Sequence, residues 1–224
     1  MRSVIIVAGG KGLRMGTETP KQFLLLETIP VLMYSLKAFH VADPSSEIIL
    51  VLPEDHIDTW KKLVEKYNFA IPHKTVPGGE TRFDSVKNGL KVIPGDGFVA
   101  VHDGVRPLID PLDIKRLFDF AEKEGNAVPV IPVNETLRHI KDNDNEIVDR
   151  SQFMIIQTPQ IFPADRLKKA YETEYHPRFT DDASVYEAAD NKVFITRGNP
   201  ANIKITRMDD LLIAQALLRL PFQE

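Results

Sequence analysis

The chain lacks several features whose absence excludes whole classes of protein. Its 224 residues include no cysteine, which excludes disulfide bonds, thiolate nucleophiles and cysteine-ligated zinc or iron–sulfur centres. No apolar run approaches the length of a membrane span, and the run Val4 to Ala8 is too short for the core of a signal peptide. We therefore expect a cytoplasmic protein that does not associate with membranes.

An excess of positive charge is also missing. The formal net charge is -4, whereas nonspecific binding to nucleic acid requires a basic surface. We therefore expect no nucleic-acid partner, and any phosphate site has to be a local cluster of basic side chains. The length suits one hydrophobic core, so we expect a single domain over residues 1–224.

Short, continuous apolar runs alternate with longer amphipathic stretches along most of the chain. Continuous apolarity indicates strands that are covered on both faces, so the pattern predicts a single α/β domain with a mostly parallel central sheet flanked by helices. The predicted strands are Val4–Ala8, Ile48–Leu52, Phe98–Val101 and Ala127–Ile131. The predicted helices are Val31–Val41, Asp55–Tyr67, Thr81–Val92, Pro111–Glu124 and Pro163–Tyr175.

Two regions interrupt this alternation. Residues 134–154 form two short polar segments around the turn-forming sequence "DNDN", which predicts a protruding β-hairpin arm. A hairpin cannot bury itself, so we expect the arm to pack on a partner. Near the C-terminus, Ile203 and Ile205 alternate with polar residues, which predicts a strand with Lys204 on the face opposite the core. An apolar stripe from Met208 to Leu218 predicts a closing helix.

The N-terminal strand runs into a glycine-rich turn that two common phosphate-binding motifs do not fit. The NTPase loop needs glycine, four residues and then Gly-Lys-Ser/Thr, and no frame from Gly9, Gly10 or Gly12 satisfies it. The dinucleotide fingerprint needs a third glycine where Met15 stands, and its acidic residue about 20 residues later is missing. A longer glycine spacing keeps a reductase possible, but no tyrosine has a lysine four residues later. Hydride transfer is therefore a distant alternative.

Two cations follow the glycine-rich turn. Glycines allow backbone N–H groups to approach a phosphate closely, while Arg14 and Lys21 would add charge where a transferring phosphoryl group accumulates it. Taken alone, a tight strand-to-helix turn with two solvated cations explains this stretch equally well.

Six motifs along the chain carry a family resemblance. The sequence "AGGKGLRMGTETPKQF" resembles the signature of sugar-phosphate nucleotidyltransferases, and the later motifs narrow the resemblance to the 2-C-methyl-D-erythritol 4-phosphate cytidylyltransferases. These later motifs are "GGETRFDSVKNGL", "VHDGVRP", "QTPQIF", "FTDDAS" and "NIKITR". The resemblance implies a dinucleotide-binding-like nucleotidyltransferase fold. It also implies a reaction of CTP with a polyol phosphate that yields a CDP-polyol and pyrophosphate, with Mg²⁺ held mainly through the CTP phosphates.

The resemblance also implies a role for individual residues. Those that would bind CTP are Ala8, Gly9, Gly10, Gly12, Gly79, Glu80, Ser85 and Gly104. Those that would contact the acceptor are Asp103, Arg106, Thr136 and Thr180. The catalytic cations would be Arg14, Lys21, Arg150 and Lys204. Thr136 and Arg150 lie on the predicted arm and match residues that reach the neighbouring subunit, which implies a homodimer formed through residues 134–154.

The implied reaction does not require a general base. A phosphate monoester has a second pKa of roughly 6, so the acceptor is already mostly a dianion at neutral pH. The difficulty is to bring two anions together, and positioning and cations supply the catalysis.

Two motifs differ from the usual family pattern. Gly9, and the pair Gly104 and Val105, stand where methylerythritol-type enzymes often have alanine. Both departures favour the sister family, the ribitol-5-phosphate cytidylyltransferases. In contrast, "ETRFDSV" and "FTDDAS" favour methylerythritol phosphate, which is the acceptor we expect. Two further hypotheses are an enzyme that uses ribitol phosphate as its acceptor and a nucleotide-binding protein of the same fold without turnover.

Overall fold

The computed structural model describes residues 1–9, 19–142 and 144–219. Its strands are β1 Arg2–Val7, β2 Leu25–Leu26, β3 Ile29–Pro30, β4 Glu47–Leu52, β5 Lys74–Pro77, β6 Phe98–Asp103, β7 Val128–Pro132, β8 Leu137–Lys141, β9 Asp144–Val148, β10 Met154–Ile156, β11 Gln160–Pro163 and β12 Ile195–Arg197. Its helices are α1 Val31–Ala42, α2 Ile57–Lys66, α3 Arg82–Val92, α4 Pro111–Glu124, α5 Ala164–Ala170, α6 Asp182–Ala188 and α7 Met208–Arg219.

The central sheet has five strands in the order β11-β6-β1-β4-β5. Strand β1 runs parallel to β4 and β6, and β4 runs parallel to β5. The edge strand β11 pairs with β6 in the antiparallel direction. The prediction of a mostly parallel sheet flanked by helices is therefore confirmed.

Both faces of this sheet are buried. In β1, Val4 and Ile6 pack on one face with residues of α1 and α4, whereas Ile5 and Val7 pack on the other with residues of α3 and α5. A strand covered on both sides has no polar face, which explains the continuous apolar runs in the sequence.

A smaller sheet and a hairpin extend from this core. Strand β7 pairs with β10 in the antiparallel direction and with β12 in the parallel direction. Strands β8 and β9 form a separate antiparallel hairpin, within the segment 134–154 where the sequence predicts an arm. The predicted strand Ala127–Ile131 forms almost as expected, but it lies in the smaller sheet rather than in the central one.

Two predicted elements are wrong. No strand forms around Lys204; Ile205 is buried and donates its N–H to Val105 O at 2.9 Å, but the segment has no ladder of pairs with a neighbouring strand. The alternation therefore reflects burial beside a loop. The helix predicted to reach Tyr175 ends at Ala170, with Tyr171 as its C-cap. The ring of Tyr171 is buried and stacks on Phe83 with 4.7 Å between the ring centroids.

The predicted closing helix is confirmed as α7, in which Leu211 and Ala214 are buried. Together with Leu26, Val31 and Ile205, these residues belong to a third apolar cluster. Within the described ranges, no helix combines the length and the apolar character needed to cross a membrane.

Candidate active site

A cavity of about 330 Å³ opens at the carboxyl ends of the parallel strands, which is where open α/β sheets place their ligands. The described residues that line it are Val7, Ala8, Gly9, Lys21, Gln22, Gly79, Glu80, Thr81, Arg82, Ser85, Asp103, Val105 and Lys204. Five residues predicted to bind CTP are among them: Ala8, Gly9, Gly79, Glu80 and Ser85. Two predicted catalytic cations, Lys21 and Lys204, line the same cavity.

A second cavity of about 220 Å³ adjoins the first. The two cavities share Arg82, Asp103 and Lys204. The remaining residues that line the second cavity are Arg106, Ile156, Gln157, Thr158, Gln160, Thr180 and Asp181. Three residues predicted to contact the acceptor, Asp103, Arg106 and Thr180, therefore lie together, next to the cavity that contains the predicted CTP residues.

A tight turn before α3 forms one wall of the larger cavity. Thr81 caps the helix and exchanges hydrogen bonds with Asp84 in a capping box. The N–H of Gly79 donates to Ser85 Oγ at 3.1 Å. A Cβ atom at Gly79 would lie 2.3 Å from Asp84 Cβ, so only glycine lets the turn approach the helix this closely. The side chain of Ser85 and the backbone around Gly79 are thereby held at the cavity wall.

The carboxylate of Asp103 lies among three cations at the boundary of the two cavities. Lys204 Nζ is 2.9 Å from Asp103 Oδ2, Arg106 Nε is 3.6 Å from the same oxygen, and Arg82 Nε is 3.3 Å from Oδ1. Burial opposes ionisation of Asp103, but the charges of Arg82, Lys204 and Arg106 outweigh it and hold the pKa of this carboxyl well below its usual range. Asp103 is therefore a carboxylate at neutral pH.

The backbone and side chains around Asp103 are fixed by buried hydrogen bonds. The N–H of Asp103 donates to Thr158 Oγ1 at 3.0 Å, and the ring of His102 lies between Thr158 Oγ1 and the carbonyl of Arg106. Burial lowers the pKa of His102 to about 4, so the imidazole is neutral at pH 7. This agrees with a supporting rather than a catalytic role for His102.

Arg82 was not singled out by the sequence reasoning, although it lies within the motif "GGETRFDSVKNGL". Its Nη1 and Nη2 atoms donate to the two oxygens of Asp182 at 3.1 and 2.7 Å. Asp182 is fully buried and also accepts a hydrogen bond from Tyr171 at 2.7 Å. Burial opposes protonation of Arg82, but Asp182 and Asp103 hold the pKa of its guanidinium well above its usual value.

Further lining residues, among them Gln22, Gln157 and Thr158, were missed because their motifs were recognised as wholes. Gln157 and Thr158 belong to "QTPQIF", and Gln22 follows Lys21 directly. Gln22 is fully buried and donates to the carbonyl of Ala8 at 3.0 Å. All three side chains are buried in the fold, and their place within a motif was the signal that the sequence offered for them.

Several predicted site residues lie away from the two cavities or outside the described residues. Gly104 lines neither cavity: its N–H donates to Val7 O, and an added Cβ would lie 2.7 Å from Leu32 Cδ1. Thr136 and Arg150 are exposed at the base of the hairpin and also line neither cavity. Arg150 donates to the carbonyl of Asn134. The predicted residues Gly10, Gly12 and Arg14 lie outside the described part of the chain.

A protein-held metal site is not evident among the residues that the structure describes. They contain no group of three or more His, Asp or Glu side chains arranged to hold an ion. The oxygens of Asp103 already face Arg82, Arg106 and Lys204.

The chain is similar over nearly its whole length to known proteins of one family. The family model for 2-C-methyl-D-erythritol 4-phosphate cytidylyltransferase matches residues 2–220. Proteins of that name from Bacteroides fragilis and Bacteroides thetaiotaomicron are 52% and 51% identical, over 97% of this chain and 99% of each relative. The solved 4-diphosphocytidyl-2C-methyl-D-erythritol synthase from Anaerococcus prevotii matches with a TM-score of 0.83 at 30% identity, covering 98% of this chain and 96% of that chain.

Proposed function

The chain belongs to the 2-C-methyl-D-erythritol 4-phosphate cytidylyltransferase family, and from this premise we propose how its residues divide the reaction between them. The enzyme is a nucleotidyltransferase that transfers CMP from CTP to 2-C-methyl-D-erythritol 4-phosphate. The products are 4-diphosphocytidyl-2-C-methyl-D-erythritol and pyrophosphate, and the step belongs to isoprenoid precursor biosynthesis. The ribitol-phosphate alternative is not favoured, because the family model and the similar relatives carry the methylerythritol name.

The reaction is a displacement at the α-phosphorus of CTP. An oxygen of the acceptor phosphate forms a bond to this phosphorus, and the bond to the oxygen that bridges the α- and β-phosphates breaks. Pyrophosphate leaves with the electron pair of the broken bond. Because the acceptor is mostly a dianion at neutral pH, no side chain has to remove a proton, and repulsion between the two anions is the main barrier.

The larger cavity is the CTP site in this proposal. Gly79, Glu80 and Ser85 form the wall where the family reads the base and ribose, and Ala8 and Gly9 begin the turn that wraps the phosphates. Gly10 and Gly12 would continue this turn. Gly104 acts indirectly, since it packs behind Ala8 rather than lining the cavity.

The smaller cavity is the acceptor site. Asp103 offers carboxylate oxygens to acceptor hydroxyls, and Arg106 and Thr180 line the same space. Lys204 lines both cavities, so its ammonium is placed to neutralise charge between the two substrates. Lys21 borders the CTP cavity, and Arg14 would add a second cation beside the phosphates.

The hairpin provides the last acceptor contacts from a second copy of the chain. Thr136 and Arg150 are exposed and lie outside both cavities, so they can serve the reaction by reaching the site of a neighbouring subunit. The side chains of Ile140 and Ile147 project from the hairpin with 68% and 69% of their surface exposed. An apolar face of this kind supports a homodimer formed through the arm.

Mg²⁺ is the proposed cofactor and would be held mainly by phosphate oxygens of CTP. The described residues fit this arrangement because they offer cations rather than a carboxylate cluster around the phosphates. When bound, the ion would offset the charge of the triphosphate and of the departing pyrophosphate.

A panel of acceptors tests the proposal. Purified protein with CTP and Mg²⁺ is offered 2-C-methyl-D-erythritol 4-phosphate or ribitol 5-phosphate, and pyrophosphate release is measured. We expect release with the first acceptor. Release with ribitol 5-phosphate alone would overturn the assignment, as would CTP binding without any release. The single observation that carries the proposal is the pair of adjoining cavities that share Asp103 and Lys204.

A further inference from the structure

We propose that Arg82 is a positioning residue for the transfer reaction: it holds the carboxylate of Asp103 in place from a buried anchor, Asp182. The inference deepens the proposed function and rests on it. Arg82 lines both cavities, and its side chain connects the start of α3 with the start of α6.

The anchor residue itself is buried, and both of its carboxylate oxygens accept hydrogen bonds. Asp182 has no exposed surface and accepts three hydrogen bonds, two from Arg82 and one from Tyr171. The bidentate geometry fixes the plane of the guanidinium. The side chain of Gln160 fixes the start of α6. Its Nε2 donates to Asp181 Oδ2 at 2.8 Å, and its Oε1 accepts from the N–H of Ala183 at 2.8 Å.

The other edge of the guanidinium determines the orientation of Asp103. Arg82 Nε donates to Asp103 Oδ1 at 3.3 Å, while Lys204 and Arg106 approach Oδ2. The two oxygens therefore have different partners. Loss of Arg82 would leave Oδ1 without its cation and would allow the carboxylate to rotate away from Lys204.

Arg82 is better suited to positioning than to contact with a phosphate. Three of its nitrogen atoms already donate to carboxylate oxygens. Asp103 and Asp182 together offset its charge, whereas Lys204 is the cation with 40% of its side chain exposed at the boundary of the cavities. Arg82 therefore acts through Asp103, and Lys204 faces the substrates.

The test uses a variant in which neither buried charge is left unpaired. Removal of Arg82 alone would leave Asp182 as an uncompensated buried charge, so we combine Arg82→Gln with Asp182→Asn. We expect kcat to fall by about 100-fold, the loss typical of a misplaced reacting group, and KM for the acceptor to rise. CTP affinity, measured by calorimetry, should stay within about 3-fold, because the base and ribose wall is unchanged.

Tyr171→Phe is the matched control, because it removes one donor to Asp182 but leaves both ion pairs and the stacking on Phe83. Because the bidentate pair of Arg82 with Asp182 remains, we expect its kcat to fall far less than that of the paired variant. If the paired variant binds no CTP, Arg82→Lys replaces it: a lysine keeps the charge beside Asp182 but cannot donate to both carboxylates in fixed geometry. A loss of kcat at unchanged CTP affinity is expected there too.

Coupling to Asp103 separates positioning from a general structural effect. In an Asp103→Asn background, the paired substitution should have little further effect, because residues that act through one group are not additive. The proposal is overturned if the fold-loss in kcat of the combined variant equals the product of the losses caused by Asp103→Asn and by the paired substitution. Wild-type kcat in both the paired and the Arg82→Lys variants would overturn it too. Wild-type protein without transferase activity would instead refute the proposed function itself.

Discussion

At the scale of single residues, Lys204 has the most exposed position among the cations around Asp103. Its ammonium is 2.9 Å from Asp103 Oδ2, and its side chain lines both cavities. We expect Lys204→Met to lower kcat by about 100- to 1000-fold, by analogy with the loss of one oxyanion-hole donor. The melting temperature should change little, because the side chain is partly exposed. Steady-state kinetics and calorimetry check both expectations.

Lys74→Met provides the control for Lys204. Lys74 also pairs with a carboxylate, that of Glu47, but it lies at the edge of the central sheet away from the cavities. Its substitution should leave kcat unchanged. An equal loss of kcat in both variants would argue against a specific role for Lys204.

The two glycines that depart from the family pattern differ in the space around them. A Cβ at Gly9 would lie 3.6 Å from Ser85 Oγ, an ordinary contact, whereas one at Gly104 would lie 2.7 Å from Leu32 Cδ1. We expect Gly9→Ala to keep activity and acceptor preference. Gly104→Ala should lower the free energy of unfolding by about 1–3 kcal/mol, the usual cost of overpacking a core. The acceptor panel measures the preference of Gly9→Ala, and urea unfolding measures the stability of Gly104→Ala. A change of acceptor preference in Gly9→Ala would contradict this interpretation.

The buried imidazole of His102 predicts a pH dependence of stability. Burial lowers the pKa of His102 from 6.5 to about 4, so the unfolded chain takes up a proton at a higher pH than the folded protein. The free energy of unfolding should therefore fall as the pH drops from about 6.5 to about 4, and by about 2 kcal/mol between pH 7.5 and pH 5. Urea unfolding at the two pH values measures it.

His102→Gln removes the titrating group from the same position. Its stability should depend less on pH across this range than that of the wild type. Equal slopes in the two proteins would show that other groups cause the dependence.

Sequence reasoning identified residues whose chemistry is visible within a motif, but not those that act through a distant partner. Asp103 and Lys204 were found because each lies in a motif of the family. Arg82 lies in such a motif too, but its buried partner Asp182 is 100 residues away. Only the fold brings the two side chains together, so the sequence could not reveal the ion pair.

At the scale of elements, the hairpin has two chemically different faces. Ile140 and Ile147 lie on one face, each paired across the strands with a polar residue. His139 and Lys141 lie on the other face, next to Glu146. The apolar face is the one expected to pack on a partner.

Substitution of the apolar face tests this expectation. The double variant Ile140→Ser/Ile147→Ser should raise the dissociation constant of the dimer by at least about 100-fold, since each buried isoleucine contributes about 1.5–3 kcal/mol. Sedimentation analysis at several protein concentrations measures the constant. Lys141→Ser on the opposite face is the control and should leave it nearly unchanged. A dimer of wild-type affinity in the double variant would refute the role of this face.

An apolar pattern predicted most elements correctly, including the paired strands β1, β4 and β6, but it was misleading where burial comes from contact with a loop. Helix α4 forms as predicted because Asp110 caps its start and Gly125 ends it in a left-handed conformation. The strand expected at Ile203 and Ile205 has the right alternation but no neighbouring strand. Periodicity reports which side chains are buried, and it does not report whether a hydrogen-bonding partner is present.

At the scale of the whole molecule, we propose an active site that is shared between two chains. Lys21 lines the CTP cavity of its own chain, whereas Arg150 would serve the neighbouring one. Lys21→Ala and Arg150→Ala should each be nearly inactive as homodimers. Mixed and reassociated chains should recover activity, because one of the two sites in a heterodimer then has both residues. Absence of recovery in verified heterodimers would mean that Lys21 and Arg150 of the same chain serve one site, and it would contradict the shared site.

The position of an isotopic label tests the central claim, displacement at the α-phosphorus of CTP, most directly. Purified protein is incubated with Mg²⁺, 2-C-methyl-D-erythritol 4-phosphate and CTP that is labelled with ³²P at either the α- or the γ-phosphate. We expect the α-label only in 4-diphosphocytidyl-2-C-methyl-D-erythritol and the γ-label only in pyrophosphate, in equal amounts. Transfer of the γ-label to the acceptor, or no transfer of the α-label, would contradict the mechanism.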